Sequence, residues 1–179
     1  MTRGMEAIAA NRGLFAYRQV QPVDTVLARC GLEGALSTIV LSLMIFLFSL
    51  LGHNVVPHHP MVVLHIWGIV WAFGMGVALI FSVVVTSLPE AGKFIRMLMF
   101  PLYFLSGILI PVQYFPHDLQ QYLLYNPMLH AVELIRTGFF ETYRAVDGVS
   151  VLYLHQWVWG SVFLGLLLQL RFKQRLLAQ

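Results

Sequence analysis

Four stretches of this chain, residues 34–52, 61–88, 97–115 and 149–170, run for nineteen residues or more without an Asp, Glu, Lys or Arg. A helix that crosses the hydrocarbon core of a bilayer needs about 20 apolar residues. Hydrophobic residues make up 59% of the chain and charged residues 11%, whereas an ordinary soluble domain carries roughly a quarter charged residues. One soluble core in 179 residues cannot hide so much apolar surface. The fold expected is an all-α integral membrane protein, with about four transmembrane helices plus two short re-entrant or periplasmic amphipathic helices.

The net charge of +3 would suit nucleic acid, but the basic residues flank the apolar runs, so they speak instead for orientation in lipid. Arg3, Arg12, Arg18 and Arg29 precede the first run, Lys93 and Arg96 lie between the second and third, and Arg171, Lys173 and Arg175 follow the fourth. Nine of the eleven basic residues thus fall on one side, and the positive-inside rule makes that side cytoplasmic. Both termini are expected there. The lone cysteine, Cys30, has no partner for an internal disulfide.

The runs are not alike. Residues 61–88 would form a helix of roughly 42 Å, so they tilt or project beyond the core. Gly68, Ala72 and Gly76 recur there every four residues, spacing that lets helices approach closely. Residues 97–115 contain Pro101, Gly107 and Pro111, and a proline inside a helix removes a hydrogen bond and crowds the preceding turn. This run is expected to enter as a helix and break near its outer end. A break in lipid persists only where protein or a watery cavity satisfies the freed backbone. Residues 107–115 therefore either line something or form a proline-kinked span.

Residues 116–148 are too polar to cross and split at Asn126 and Pro127, a capping residue followed by a residue suited to the first helical position. Before the split, Leu119, Tyr122 and Leu123 share a helix face. After it, Met128, Ala131, Val132, Ile135 and Phe139 form one face and His130, Glu133 and Thr137 another. Two short amphipathic helices at the outer interface fit this pattern. The cytoplasmic segment 6–29 places Leu14, Tyr17 and Arg18 on one helix face before Gln21 and Pro22 end it. Such a helix lies on the headgroups or faces a soluble partner.

Catalytic chemistry finds little footing. No carboxylate pair lies within a run and no nucleophile–base arrangement suggests itself. The only Gly-Lys, Gly92 and Lys93, lacks the rest of a phosphate loop. No catalytic residue, bound cofactor or metal site is assigned to this chain, and any ATP is bound by another. His53, His58 and His59 cluster in the first outer loop without a zinc-like spacing. His65 and His155 sit inside the outer ends of their runs, either reaching the interface or serving a function. Glu133 and Arg136 form a surface ion pair or the polar face of an exit path. Tyr153, Trp157 and Trp159 suit an interfacial belt, or a platform for sugar rings.

Three motifs carry a resemblance. The stretch FLSGILIP at 104–111, followed by YNPMLHAVELIRTGFF at 125–140, resembles the permease of ABC-2 type exporters. The stretch ANRGLFAYRQVQP at 10–22 is similar to the cytoplasmic loop before the third span in capsular polysaccharide export permeases. The likeness implies two permease copies, a homodimer, around a translocation path, driven by cytoplasmic ATPase subunits. Asn11, Arg12, Gly13, Leu14, Tyr17 and Val20 would form the coupling segment that docks on the ATPase. Gly107, Pro111, Tyr114, Tyr125, Asn126, Pro127, His130, Glu133 and Arg136 would form the periplasmic gate or channel. The cargo would be a lipid-linked capsular polysaccharide, moved from cytoplasm to periplasm across the inner membrane of a Gram-negative bacterium. O-antigen, teichoic acid and drugs are the other cargoes of such permeases, and a truncated membrane protein without transport is the competing class. Family members carry an interfacial helix and two further spans ahead of the position of Met1, so the four runs here would be their third to sixth spans.

Overall fold

The computed structural model describes residues 2–16, 19–53 and 55–177, and no strand occurs among them. Two short helices, α1 (Thr2–Met5) and α2 (Ala7–Ala10), and a 3-10 helix (Arg12–Ala16) precede the long α3 (Pro22–Leu50) and α4 (Pro60–Ser87). Then come α5 (Ala91–Phe104), a 3-10 helix (Val112–Tyr114), α6 (His117–Leu123), α7 (Pro127–Phe139) and α8 (Val151–Leu177). Among the described residues three helices, α3, α4 and α8, are long and apolar enough to cross a membrane.

The run at 97–115 departs from a fourth continuous helix. It is helical only to Phe104, turns through 105–110 and closes in the 3-10 helix. Pro101 has no N–H to give the preceding turn, and Gly107 adopts φ +75, a left-handed conformation that glycine tolerates and other residues resist. At 14 residues, α5 is roughly 21 Å long.

Two other helices outrun their apolar cores. α3 begins at Pro22, twelve residues before the uncharged stretch. Proline occupies its first position, and the Gln21 N–H donates to Asp24 Oδ2 at 2.9 Å, one half of a capping box. Asp24, Arg29 and Glu33 therefore lie inside the helix, and Arg29 pairs with Glu33 at i,i+4. α8 continues to Leu177, past Arg171, Lys173 and Arg175. Charges end an apolar run; they do not end a helix.

The segment before α3 is not one helix. The Asn11 amide donates back to the Ala7 carbonyl at 2.8 Å, closing α2, and the chain restarts as the 3-10 turn.

The chain forms two compact units. One comprises Met1–Ser37, Trp71–Met97 and Val158–Gln179. Its core gathers Ile8, Val26, Cys30, Leu79, Val83 and Leu176, so α2 is packed against the long helices. Arg3 pairs with Glu33, and Arg96 pairs with Glu6. α4 and α8 cross where a β-carbon on Gly76 would stand 2.4 Å from Ser161 Oγ, and one on Gly165 2.7 Å from Leu79 Cβ. Of the two glycines in the expected small-residue stripe, Gly76 makes this contact. Gly68 has nothing within 4 Å of where a β-carbon would sit. Beside the crossing, Gln169 Nε2 donates to Ser82 Oγ at 2.8 Å. Such interhelical bonds hold membrane helices together by roughly 1 kcal/mol each.

The second unit comprises Thr38–Val70 and Leu98–Trp157. In it the Trp67 indole donates to Thr38 Oγ1 at 3.0 Å, joining α4 to α3. α7 docks on the start of α4 through Gly138, whose carbonyl accepts from the His59 N–H at 2.9 Å. A β-carbon there would lie 2.6 Å from Val63 Cγ2.

Candidate functional site

The helix α7 and the chain on either side of it carry a dense polar network in the second unit. Asn126 caps α7: its Oδ1 accepts from the Met128 N–H at 3.0 Å, with Pro127 at the first helical position. This cap aims the next two turns so that Leu129, His130 and Glu133 face inward, all three at 2% exposure or less.

Glu133 is completely buried, and a buried carboxylate is tolerated only when paired and hydrogen-bonded. Its Oε1 accepts from Arg136 Nη1 at 3.0 Å. The Tyr143 hydroxyl stands 3.0 Å from both carboxylate oxygens, and its single proton goes to one of them. The Arg136 guanidinium also lies 5.9 Å from the centre of the Tyr143 ring, within cation–π reach. Burial, and then the bond to Glu133, push the Tyr143 phenol above its ordinary value, so the hydroxyl remains a donor at neutral pH.

Arg136 also reaches the break in the third apolar run. Its Nη2 donates to the Gly107 carbonyl at 2.6 Å and to the Ile108 carbonyl at 3.2 Å. These carbonyls have left the helical ladder, and a guanidinium is suited to satisfy two at once. Pro111 initiates the following 3-10 turn, and Val112 is buried against Gly107. Thus Gly107 is brought, across 29 residues, to the Glu133–Arg136 pair.

A second focus surrounds His130. Its Nδ1 accepts from the Ser150 N–H at 3.0 Å, so Nε2, 2.8 Å from the Leu124 carbonyl, carries the proton. These two partners assign the neutral Nε2–H tautomer. The Tyr153 ring lies 4.8 Å from the imidazole, and its hydroxyl donates to the Tyr125 carbonyl at 2.9 Å. Tyr125 and Tyr114 turn their own rings outward, at 74% and 80% exposure, and Tyr114 joins neither focus.

The expected docking residues divide. Leu14 and Gly13 are exposed, Asn11 and Val20 half-buried, while Phe15 packs on the core of the first unit. Tyr17, Arg18 and the side chain of Arg12 lie outside the described residues.

Elsewhere, His58 faces Glu141 at 3.4 Å and meets His59 edge-on. The rings of His65 and His155 stand 5.3 Å apart. Trp157 and Trp159 are exposed. Two participants were not foreseen. Tyr143 lies in irregular chain after α7, where no periodicity marks it. Gln169 carried a legible signal, as an uncharged polar residue within an apolar run.

Comparison with known proteins adds identity to this geometry. A model of the ABC-2 type transporter family matches residues 5–140. The polysialic acid transport protein KpsM of Escherichia coli is 37% identical over 166 residues, 93% of this chain and 64% of that protein. The capsule polysaccharide export inner-membrane protein CtrC of Neisseria meningitidis is 33% identical over 75% of the chain and 51% of its own length. BexB of Haemophilus influenzae, with the same description, is 30% identical over 77% of the chain and 52% of its own length. The chain thus spans less than two thirds of these curated relatives.

Proposed function

Because the chain belongs to the ABC-2 type transporter family, we propose that it is the permease part of an ATP-driven exporter that passes capsular polysaccharide from cytoplasm to periplasm. What carries this reading is the likeness over 93% of the chain to a protein named for polysialic acid transport, joined by relatives named for capsule export. The membrane is the bacterial inner membrane, crossed several times, with both termini cytoplasmic. The polymer travels with its lipid anchor between two copies of the permease.

The chain binds no cofactor, and ATP is hydrolysed by a cytoplasmic partner. Leu14 and Gly13, turned outward from a segment whose Phe15 is anchored inward, supply the docking face for that partner. The gate is the contact between Arg136 and the broken run at Gly107. A guanidinium shared between a buried carboxylate on its own helix and two carbonyls of the broken run holds the closed arrangement, which opens when the bonds to those carbonyls are released.

Deleting the gene in an encapsulated strain tests the reading. Polymer should accumulate inside the cell, the surface should lose capsule, and drug sensitivity should stay unaltered. A surface still fully encapsulated would overturn it, and altered drug sensitivity with intact capsule would point to another cargo.

A further inference from the structure

A groove beside α6 adjoins the His130 focus, whose His130, Ser150 and Tyr153 line its far end. It opens as a cavity of about 450 Å³ whose polar wall includes Gln113, His117, Gln121, Arg144 and Asp147. It continues, through the shared Gln121 and Leu124, into a cavity of about 350 Å³ bordered by Tyr125 and Tyr153. Both lie within the second unit, and such volumes are those of small-molecule sites.

The wall is braced and its lining is unengaged. Gln113 Nε2 donates to the Arg144 carbonyl at 2.5 Å, and Gln120 Nε2 to the Phe115 carbonyl at 2.8 Å, joining the loop before α6 to the chain after α7 and holding α6 against that loop. The side chains of His117, Gln121, Arg144 and Asp147 have no hydrogen-bond or ion-pair partner among the described residues. Four polar groups left free around one preformed hollow are groups available to a ligand.

Their chemistry selects the ligand. An amide offers both donors and acceptors, a carboxylate accepts from hydroxyls, and a guanidinium takes a carboxylate with two parallel bonds. At the far end, Tyr125 and Tyr153 border the groove and supply aromatic surface with a polar rim. Adjacent hydroxyls on a ring whose C–H face can lie on an aromatic satisfy all of these at once.

We propose that this groove is a saccharide subsite, taking one or two pyranose units and pairing Arg144 with an acidic substituent. The proposal rests on the export reading above and extends it: the groove holds the emerging polymer on the outer side. A segment held there resists slipping back between cycles of the partner ATPase.

Titration of the full chain in lipid nanodiscs with tetragalacturonate and with maltotetraose tests it. Both should bind saturably, the acidic tetramer more tightly. Arg144→Gln should weaken tetragalacturonate by about tenfold, the loss of one charge-assisted pair, and leave maltotetraose nearly unchanged. Gln121→Ala should weaken both. The two positions are exposed, and an unchanged unfolding midpoint shows that the fold is intact. Failure of both sugars to bind, or equal affinity in wild type and both variants, would overturn the subsite. Capsule export separates the two claims. Export without saccharide binding removes the subsite alone, whereas binding that responds to both variants in a chain whose deletion leaves capsule intact keeps the subsite and removes the export reading.

Discussion

Arg136 on α7 donates to the carbonyl of Gly107 at 2.6 Å while its other nitrogen holds the buried carboxylate of Glu133 at 3.0 Å. One side chain thereby ties α7 to the break in the third apolar run. Breaking a buried pair by removing one partner costs about 3–5 kcal/mol, because the other charge is stranded. Arg136→Gln is expected to lower stability by about 3 kcal/mol on that scale, and Glu133→Gln in the same chain to restore part of the loss. Thermal unfolding of the four members of the cycle in detergent measures the coupling; strict additivity would show that the pair does not act as one.

Tyr143 gives the network a pH signature. Its phenol is raised above the ordinary value of 10.0 by burial and by the bond to Glu133. A group raised on folding contributes stability below its unfolded value and loses it as pH rises through the folded one. Stability should therefore include a component that is constant up to about pH 9 and declines above about pH 10. Tyr143→Phe should remove that alkaline decline and lower stability at neutral pH. Unfolding midpoints between pH 7 and 11 decide it, and an identical alkaline slope in both proteins would exclude this role.

Gly107 turns the chain at the break. Its φ of +75 and the 2.9 Å that would separate a β-carbon from Val112 Cγ2 both oppose any side chain. Gly107→Ala should cost at least about 1–2 kcal/mol from the left-handed backbone alone. It should also reduce capsule export more than expression. Quantitative immunoblotting beside surface capsule staining separates these effects.

The proposed docking face is tested by charge. Leu14 is 45% exposed, so Leu14→Glu should spare the fold while abolishing co-purification with the ATPase. Phe15→Glu, which buries a charge in the core of the first unit, should instead reduce the amount of folded protein. Equal association of Leu14→Glu and wild type would remove the segment from the docking surface.

Much of this architecture can be read before any coordinates. The uncharged run at 61–88 nearly coincides with α4 because that helix is apolar on every side. Asn126 followed by Pro127 marks the start of α7 since both residues act locally. The ends of α3 and α8 are less legible. Helical hydrogen bonding continues through Asp24, Arg29 and Arg171 once they lie outside the hydrocarbon, so hydropathy marks the bilayer and not the helix. The pairing of Glu133 with Arg136 follows from their spacing, but its burial and its reach to Gly107, 29 residues away, depend on tertiary packing that no local period encodes. Tyr143 is hidden for the same reason.

The most direct measurement is ATP-dependent uptake of labelled lipid-linked capsular polysaccharide into inverted inner-membrane vesicles, where export delivers polymer to the lumen. Vesicles holding both the permease that includes this chain and its partner ATPase should accumulate polymer when ATP is added, and lose most of that uptake with Arg136→Gln. Equal uptake by vesicles that lack this chain would contradict the account.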